Sequence, residues 1–304
     1  MQPKSQPAIG GQAVMEGVMI LSPSCYAVSV RKPNKSIKTK VTQLKKANVK
    51  WKQLPFIRGS INLVRMLSIG MKALAWSANE IAEKEEEKIS KKEMTLTIVV
   101  SLFLAIGIFV LIPYILTEWV GFKEIEKPFL FNLVDGIIRI AFFILYVWAI
   151  SFMDDIKRMF QYHGAEHMAI HCYEHKQELT VKNVSRFTTL HPRCGTAFIL
   201  IVLIVAILVF SIIPSLVLWL FPGFAALGFW LKKLILFLVR LSFLPIVAGI
   251  SYELLKASDK YKGNLLLKMF SMPGLWLQKI TTQPPKKDQI EVAIASVKAA
   301  LRKS

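Results

Sequence analysis

The chain has 304 residues, is 54% hydrophobic with a mean hydropathy of +0.45, and carries 39 Lys and Arg against 20 Asp and Glu. Such apolarity, gathered in long runs, excludes an ordinary soluble domain and points to an α-helical integral membrane protein. The formal charge of +19 would suit nucleic acid, but no nucleic-acid module accompanies it, and attraction to anionic lipid headgroups accounts for it, leaving ribosomal RNA as the one nucleic-acid partner in view.

In chain order, residues 1–94 are expected to form an N-terminal cytoplasmic region. Met1 leads into polar Gln2-Pro3-Lys4-Ser5 rather than a signal peptide, so the first span is expected to act as its own address. Gly10 to Ile20 and Tyr26 to Thr42 contain β-like stretches, the second hinged at Lys32-Pro33-Asn34-Lys35 between alternating Val28, Val30 and Ile37, and predict a small sheet or hairpin. Ile57, Ile61, Val64, Leu67, Met71 and Leu74 recur at helical spacing with Arg65 and Lys72 among them. They predict an amphipathic helix that packs on the bundle or lies in the membrane interface, packing being the commoner outcome. The charge run from Glu80 to Glu93 predicts a solvated helix leading into the first span.

Residues 95–256 make up the membrane domain, with apolar spans at Thr95 to Leu116, Phe129 to Met153, Thr196 to Leu220 and Phe229 to Tyr252. Asp135 and Arg139 stand one turn apart in the second span and are expected to pair, whereas Arg240 in the fourth has no evident local partner. Pro113, Pro214 and Pro245 are expected to kink their spans. Lys and Arg set the orientation: 17 fall in residues 1–94, 6 between the second and third spans, and 10 from Lys256 onward. By the positive-inside rule both termini and the segment 154–195 lie in the cytoplasm of a multi-pass plasma-membrane protein. Cys25, Cys172 and Cys194 then all sit where thiols stay reduced. Asp154 to His175 is expected to continue the second span, interrupted near Gly164, with Thr180 capping a short helix and Thr196 capping the third span. In residues 257–304, Leu265 to Ile280 suits the headgroup level. Ile290, Ile294, Val297 and Leu301 form a stripe that needs a partner surface, for which the N-terminal region is the candidate.

All five histidines fall between positions 163 and 191. Two inverted zinc-protease signatures follow one another, His163-Gly164-Ala165-Glu166-His167 and His171-Cys172-Tyr173-Glu174-His175, and then comes His191-Pro192-Arg193-Cys194-Gly195. Imidazoles four apart on a helix can close on one metal ion, and a glutamate between them can serve a water as general base. One straight helix cannot supply the whole site, since His163 and Glu174 would lie roughly 16 Å apart along it. A third ligand must come from elsewhere, with Cys194, His191, Glu16 and Asp155 as the candidates.

Several blocks together resemble the YqhQ-like bacterial membrane proteins, domain of unknown function family 1385. They are Gly10 to Met19 with Glu16, Tyr162 to His167, His171 to Glu174, His191 to Thr196, Ala248 to Glu253, Pro273 to Gln278 and Asp288 to Ala293. The resemblance covers nearly the whole chain and implies a metal-dependent enzyme with no established substrate. Its pattern includes His163, Glu166, His167, His171, Cys172 and Glu174 but not His175, which favours the first signature.

The expectation is a zinc hydrolase at the cytoplasmic membrane face, acting on a peptide or lipid-linked substrate. His163 and His167 hold the metal, Glu166 is the base, and Glu16, His191 or Cys194 complete the site. Arg193 neutralises developing negative charge. The alternative is a non-enzymatic scaffold or assembly factor whose basic face docks the protein-insertion machinery, a ribosome or another membrane complex. A weaker third is transport through Asp135, Arg139 and Arg240.

Overall fold

A computed structural model describes residues 6–44, 54–84, 88–124, 126–261 and 264–302. The first segment folds as an antiparallel meander of β1 (Gly10–Val14), β2 (Gly17–Leu21), β3 (Cys25–Arg31) and β4 (Ile37–Gln43), in the order β1-β2-β3-β4. The β1–β2 turn is tight, with Val14 opposite Gly17 and the second loop residue, Glu16, in the left-handed region at φ 49°. Gly17 has no alternative, because a Cβ there would run into the Ser29 carbonyl of β3.

Alternation along these strands sends apolar side chains to both faces of the sheet. Val18, Ile20 and Ala27 join one buried cluster with α5 (Asp154–Glu174) and α10 (Lys287–Arg302), whereas Val14, Met19, Val28 and Val30 join another with Ile69 and Ala73 of α1 (Ile57–Ile81). The C-terminal stripe finds its partner here, since Ile290, Ile294 and Val297 are buried and the Ser296 hydroxyl lies 3.0 Å from the carbonyls of both Val18 and Ala27.

Among the described residues four helical stretches are long and apolar enough to cross a membrane: 92–119, 128–150, 195–220 and 229–258. The first is α2 (Lys91–Ile106), a π-helical turn and α3 (Ile112–Trp119); the others are α4 (Pro128–Ile150), α7 (Gly195–Leu220) and α8 (Phe229–Lys260). α7 packs against α4, α8 and α9 (Leu265–Thr281), and α3 packs against α4. The 4-residue α6 (Val181–Val184) is capped by Thr180, whose hydroxyl accepts from the Asn183 amide.

Four expectations change. The run from Glu80 to Glu93 is not one continuous helix: α1 ends at Ile81, and Ser90 starts α2 with a capping box closed by Glu93. α5 does not continue the second span, because Ser151 to Met153 break the chain, and α5 then runs through Gly164 without interruption. Gly164 is there for close packing, since a Cβ would meet the Gln283 carbonyl. Cys194, not Thr196, caps α7, its sulfur accepting from the Thr196 amide at 3.4 Å. The described end of α9 is packed rather than spread at a surface, with Gly274 against Ala197 and with Leu277 and Gln278 buried. Arg240, without a local partner, finds partners across the fold, Glu124 at 2.6 Å and Asn132 at 2.9 Å, while Asp135 and Arg139 pair at 2.7 Å as their spacing suggests.

Candidate metal centre

Successive turns of α5 stack His163 and His167 with ring centroids 4.5 Å apart, and the N-cap of α7 brings Cys194 to them from outside the helix. One ligand atom from each of the three lies within 4.8 Å of the others. The Cys194 sulfur is 3.2 Å from His163 Nε2.

Backbone carbonyls set the ring tautomers. His163 Nδ1 faces the Thr281 carbonyl at 2.8 Å, and His167 Nδ1 faces the Thr189 carbonyl at 2.5 Å. A carbonyl only accepts, so both Nδ1 atoms carry the hydrogen and both Nε2 atoms offer a lone pair. Burial holds both imidazoles below the ordinary histidine range, which keeps them neutral at pH 7. The thiol thus faces the acceptor nitrogen of His163, with a ligand atom of His167 within 4.8 Å of both, an arrangement in which a cation can replace the thiol proton.

Glu166 is 2% exposed, with Oε2 3.4 Å from His167 Nε2. Burial pushes its carboxyl above the ordinary carboxylate range. Gly11 of β1 makes room for it, since a Cβ there would stand 2.8 Å from Glu166 Oε1. Two neutral imidazoles and one thiol, with a carboxyl beside the shared face, fit zinc by donor type and number.

A second group, His171, Glu174 and His191, adjoins the first, His191 and His167 having ring centroids 5.6 Å apart. Its chemistry differs. His191 Nδ1 accepts from the Arg193 amide at 3.2 Å, so the neutral ring carries its hydrogen on Nε2, which faces Glu174 at 3.5 Å. The Arg193 guanidinium also pairs with Glu174, placing a fixed positive charge where a metal would sit. The group is an ion-pair network.

The remaining candidates go elsewhere. Glu16 is held in a fork by Arg158, at 2.6 and 2.5 Å, and by the Tyr162 hydroxyl at 3.2 Å, so its carboxylate is committed away from the two histidines. Burial and the neighbouring Glu16 carboxylate hold the Tyr162 phenol above its ordinary range, against the opposing charge of Arg158. Asp155 is exposed in the first turn of α5, and exposed His175 bonds back to the His171 carbonyl. Arg193 is engaged with Glu174 rather than facing the Cys194 thiol.

Sequence reasoning missed Gln278 of α9. Its side chain accepts from the His191 amide at 2.8 Å and donates to the His191 carbonyl at 2.9 Å, completely buried, and so fixes the segment that carries Cys194. Its place in the Pro273 to Gln278 block was the only available signal.

Residues 54–303 match the family model described as "Protein of unknown function (DUF1385)". The chain belongs to that family. A curated relative, the "Uncharacterized protein YqhQ" of Bacillus subtilis (strain 168), is 35% identical over 321 residues, covering 98% of this chain and 94% of its own. No solved structure matches.

Proposed function

We propose that this DUF1385 protein sits in the cell membrane with both termini in the cytoplasm, and that His163, His167 and Cys194 hold a zinc ion serving hydrolysis of a peptide or lipid-linked substrate. Four helices of spanning length and the Lys and Arg distribution support the topology. The observation that carries the site is the convergence of one ligand atom each from His163, His167 and Cys194 within 4.8 Å, with each Nδ1–H anchored by a carbonyl. Zinc, when bound, supplies the Lewis acidity that makes water nucleophilic near neutral pH. Glu166, buried beside His167 and biased toward its neutral form, is suited to take a proton and release it at Oε2.

Elemental analysis of the full chain purified in detergent tests the centre, and hydrolysis of peptide and lipid-linked fluorogenic substrates tests its use. Stoichiometric zinc is expected in the wild type and in Glu166→Gln, and is lost in His163→Ala and His167→Ala. Glu166→Gln should retain zinc and lose turnover. A folded wild type without metal would overturn the centre and leave the non-enzymatic docking role, and full activity in Glu166→Gln would overturn the role of the carboxyl.

A further inference from the structure

α1 is inside-out for a helix surrounded by water. Its buried face is built of small groups: Gly59, Gly70, Ala73 and Ser77, with Ile69. Its exposed face carries Ile57, Val64, Leu67 and Met71 at 42, 67, 60 and 38% exposure. At 100° per residue the exposed four fall in a sector of roughly 80°, on the side opposite the small residues. Arg65 and Lys72 lie together beyond one edge of that apolar stripe and are exposed.

Small residues inward and large apolar residues outward are the pattern of a helix whose surroundings are lipid. The contacts agree. α1 docks along α8 within its stretch of membrane-crossing length, Gly59 meeting Gly249 and Tyr252, and Ser60 donating to the Pro245 carbonyl at 2.6 Å. Leu241, Leu244 and Ile246 of α8 are exposed, so the apolar surface of that helix continues onto α1. Arg58 pairs with Glu253 at the same junction, which takes the charge nearest the α8 contact out of play. Arg65 and Lys72 instead suit anionic headgroups.

We propose that α1 lies in the membrane interface, its Val64, Leu67 and Met71 stripe against acyl chains and its Arg65 and Lys72 at anionic headgroups. This rests on the membrane reading of the four apolar helices. α1 then fixes the depth of the rest, because its later turns hold the sheet, with Ser77 accepting from the Met15 amide and Gly70 against Gln12. The sheet is set at headgroup level.

The test uses the full chain in vesicles of phosphatidylcholine and phosphatidylglycerol, with an environment-sensitive fluorophore on Leu67→Cys and, separately, on Val64→Cys. The native cysteines are buried, and unsubstituted protein carried through the labelling serves as the blank. Leu102→Cys on α2 is the lipid reference and Lys35→Cys in the β3–β4 turn the water reference. Nitroxide-bearing lipids are expected to quench the α1 probes as strongly as the Leu102 probe, and aqueous iodide is expected to leave them bright. Iodide quenching equal to that at Lys35 overturns the proposal. So does resistance to both quenchers, which would mean that protein, such as a second copy, covers the stripe. If iodide reaches the Leu102 reference as well, the membrane reading itself fails.

Discussion

Burial holds the imidazoles of His163, His167 and His171 below the ordinary histidine range and the Glu166 carboxyl above the ordinary carboxylate range, and the two act oppositely on stability. Unfolded histidines take up protons below about pH 6.5, so their share of stability is complete above that value and lost as pH falls through it. The share belonging to Glu166 is present below about pH 4.3, where the unfolded carboxyl is also protonated, and is lost as pH rises. In chelator-treated protein, Glu166→Gln removes the second effect and leaves the first. Denaturant titration from about pH 7 to about pH 5 is expected to show stability falling more steeply in Glu166→Gln than in the wild type. An equal or shallower slope would mean that Glu166 is ionised in the folded chain. Residue spacing made the His163/His167 pair legible, and Cys194 was one of four third ligands open from composition. The pairing of Glu16 with Arg158, 142 positions away, was not legible, and the Thr189 and Thr281 carbonyls that orient the rings leave no trace in residue identity.

Periodicity and apolar length exposed most elements, including α1, α10 and the four long apolar helices, because each has a face or a length that its surroundings must match. What periodicity cannot show is where a charge finds its partner across the fold. Glu124 sits in the loop between α3 and α4 yet is 2% exposed, turned inward to Arg240 and Lys233. The Asp135–Arg139 pair is the local counterpart, legible because both partners share α4, and its Asp135 side chain is 7% exposed. Desolvated pairs of this kind are worth little against an apolar replacement but much against a broken half. Arg139→Met alone is therefore expected to cost about 3–5 kcal/mol, and Asp135→Asn added to it should recover most of the loss. Unfolding in mixed micelles of denaturing and mild detergent measures all four corners of this cycle. Additive losses would show that the two side chains do not act as a pair.

At the scale of the molecule, the candidate centre depends on pieces that are far apart in sequence. The ligands come from α5 and the start of α7, Gly11 of β1 leaves the space that Glu166 occupies, and α9 supplies the Thr281 carbonyl and the Gln278 clamp. α10 supplies none of the three ligands but covers both α5 and the sheet, burying Ile290, Val292, Ile294 and Val297 there. Sequence boundaries near residues 94 and 256 follow the apolar runs, whereas packing follows buried faces and draws the sheet, α5 and α10 into one unit. Removing α10 with a stop after Pro285 would uncover four large side chains' worth of apolar surface on the sheet and α5. Each such side chain contributes roughly 1.5–3 kcal/mol when buried, so the summed loss rivals the whole stability of a typical domain. The truncated chain is expected to lose its zinc and to become sensitive to protease in the sheet and α5, although every ligand residue is intact. Supplying residues 286–304 as a separate peptide during folding should restore both. Wild-type zinc content in the truncated chain would show that α5 and the start of α7 hold the centre without support from the sheet side.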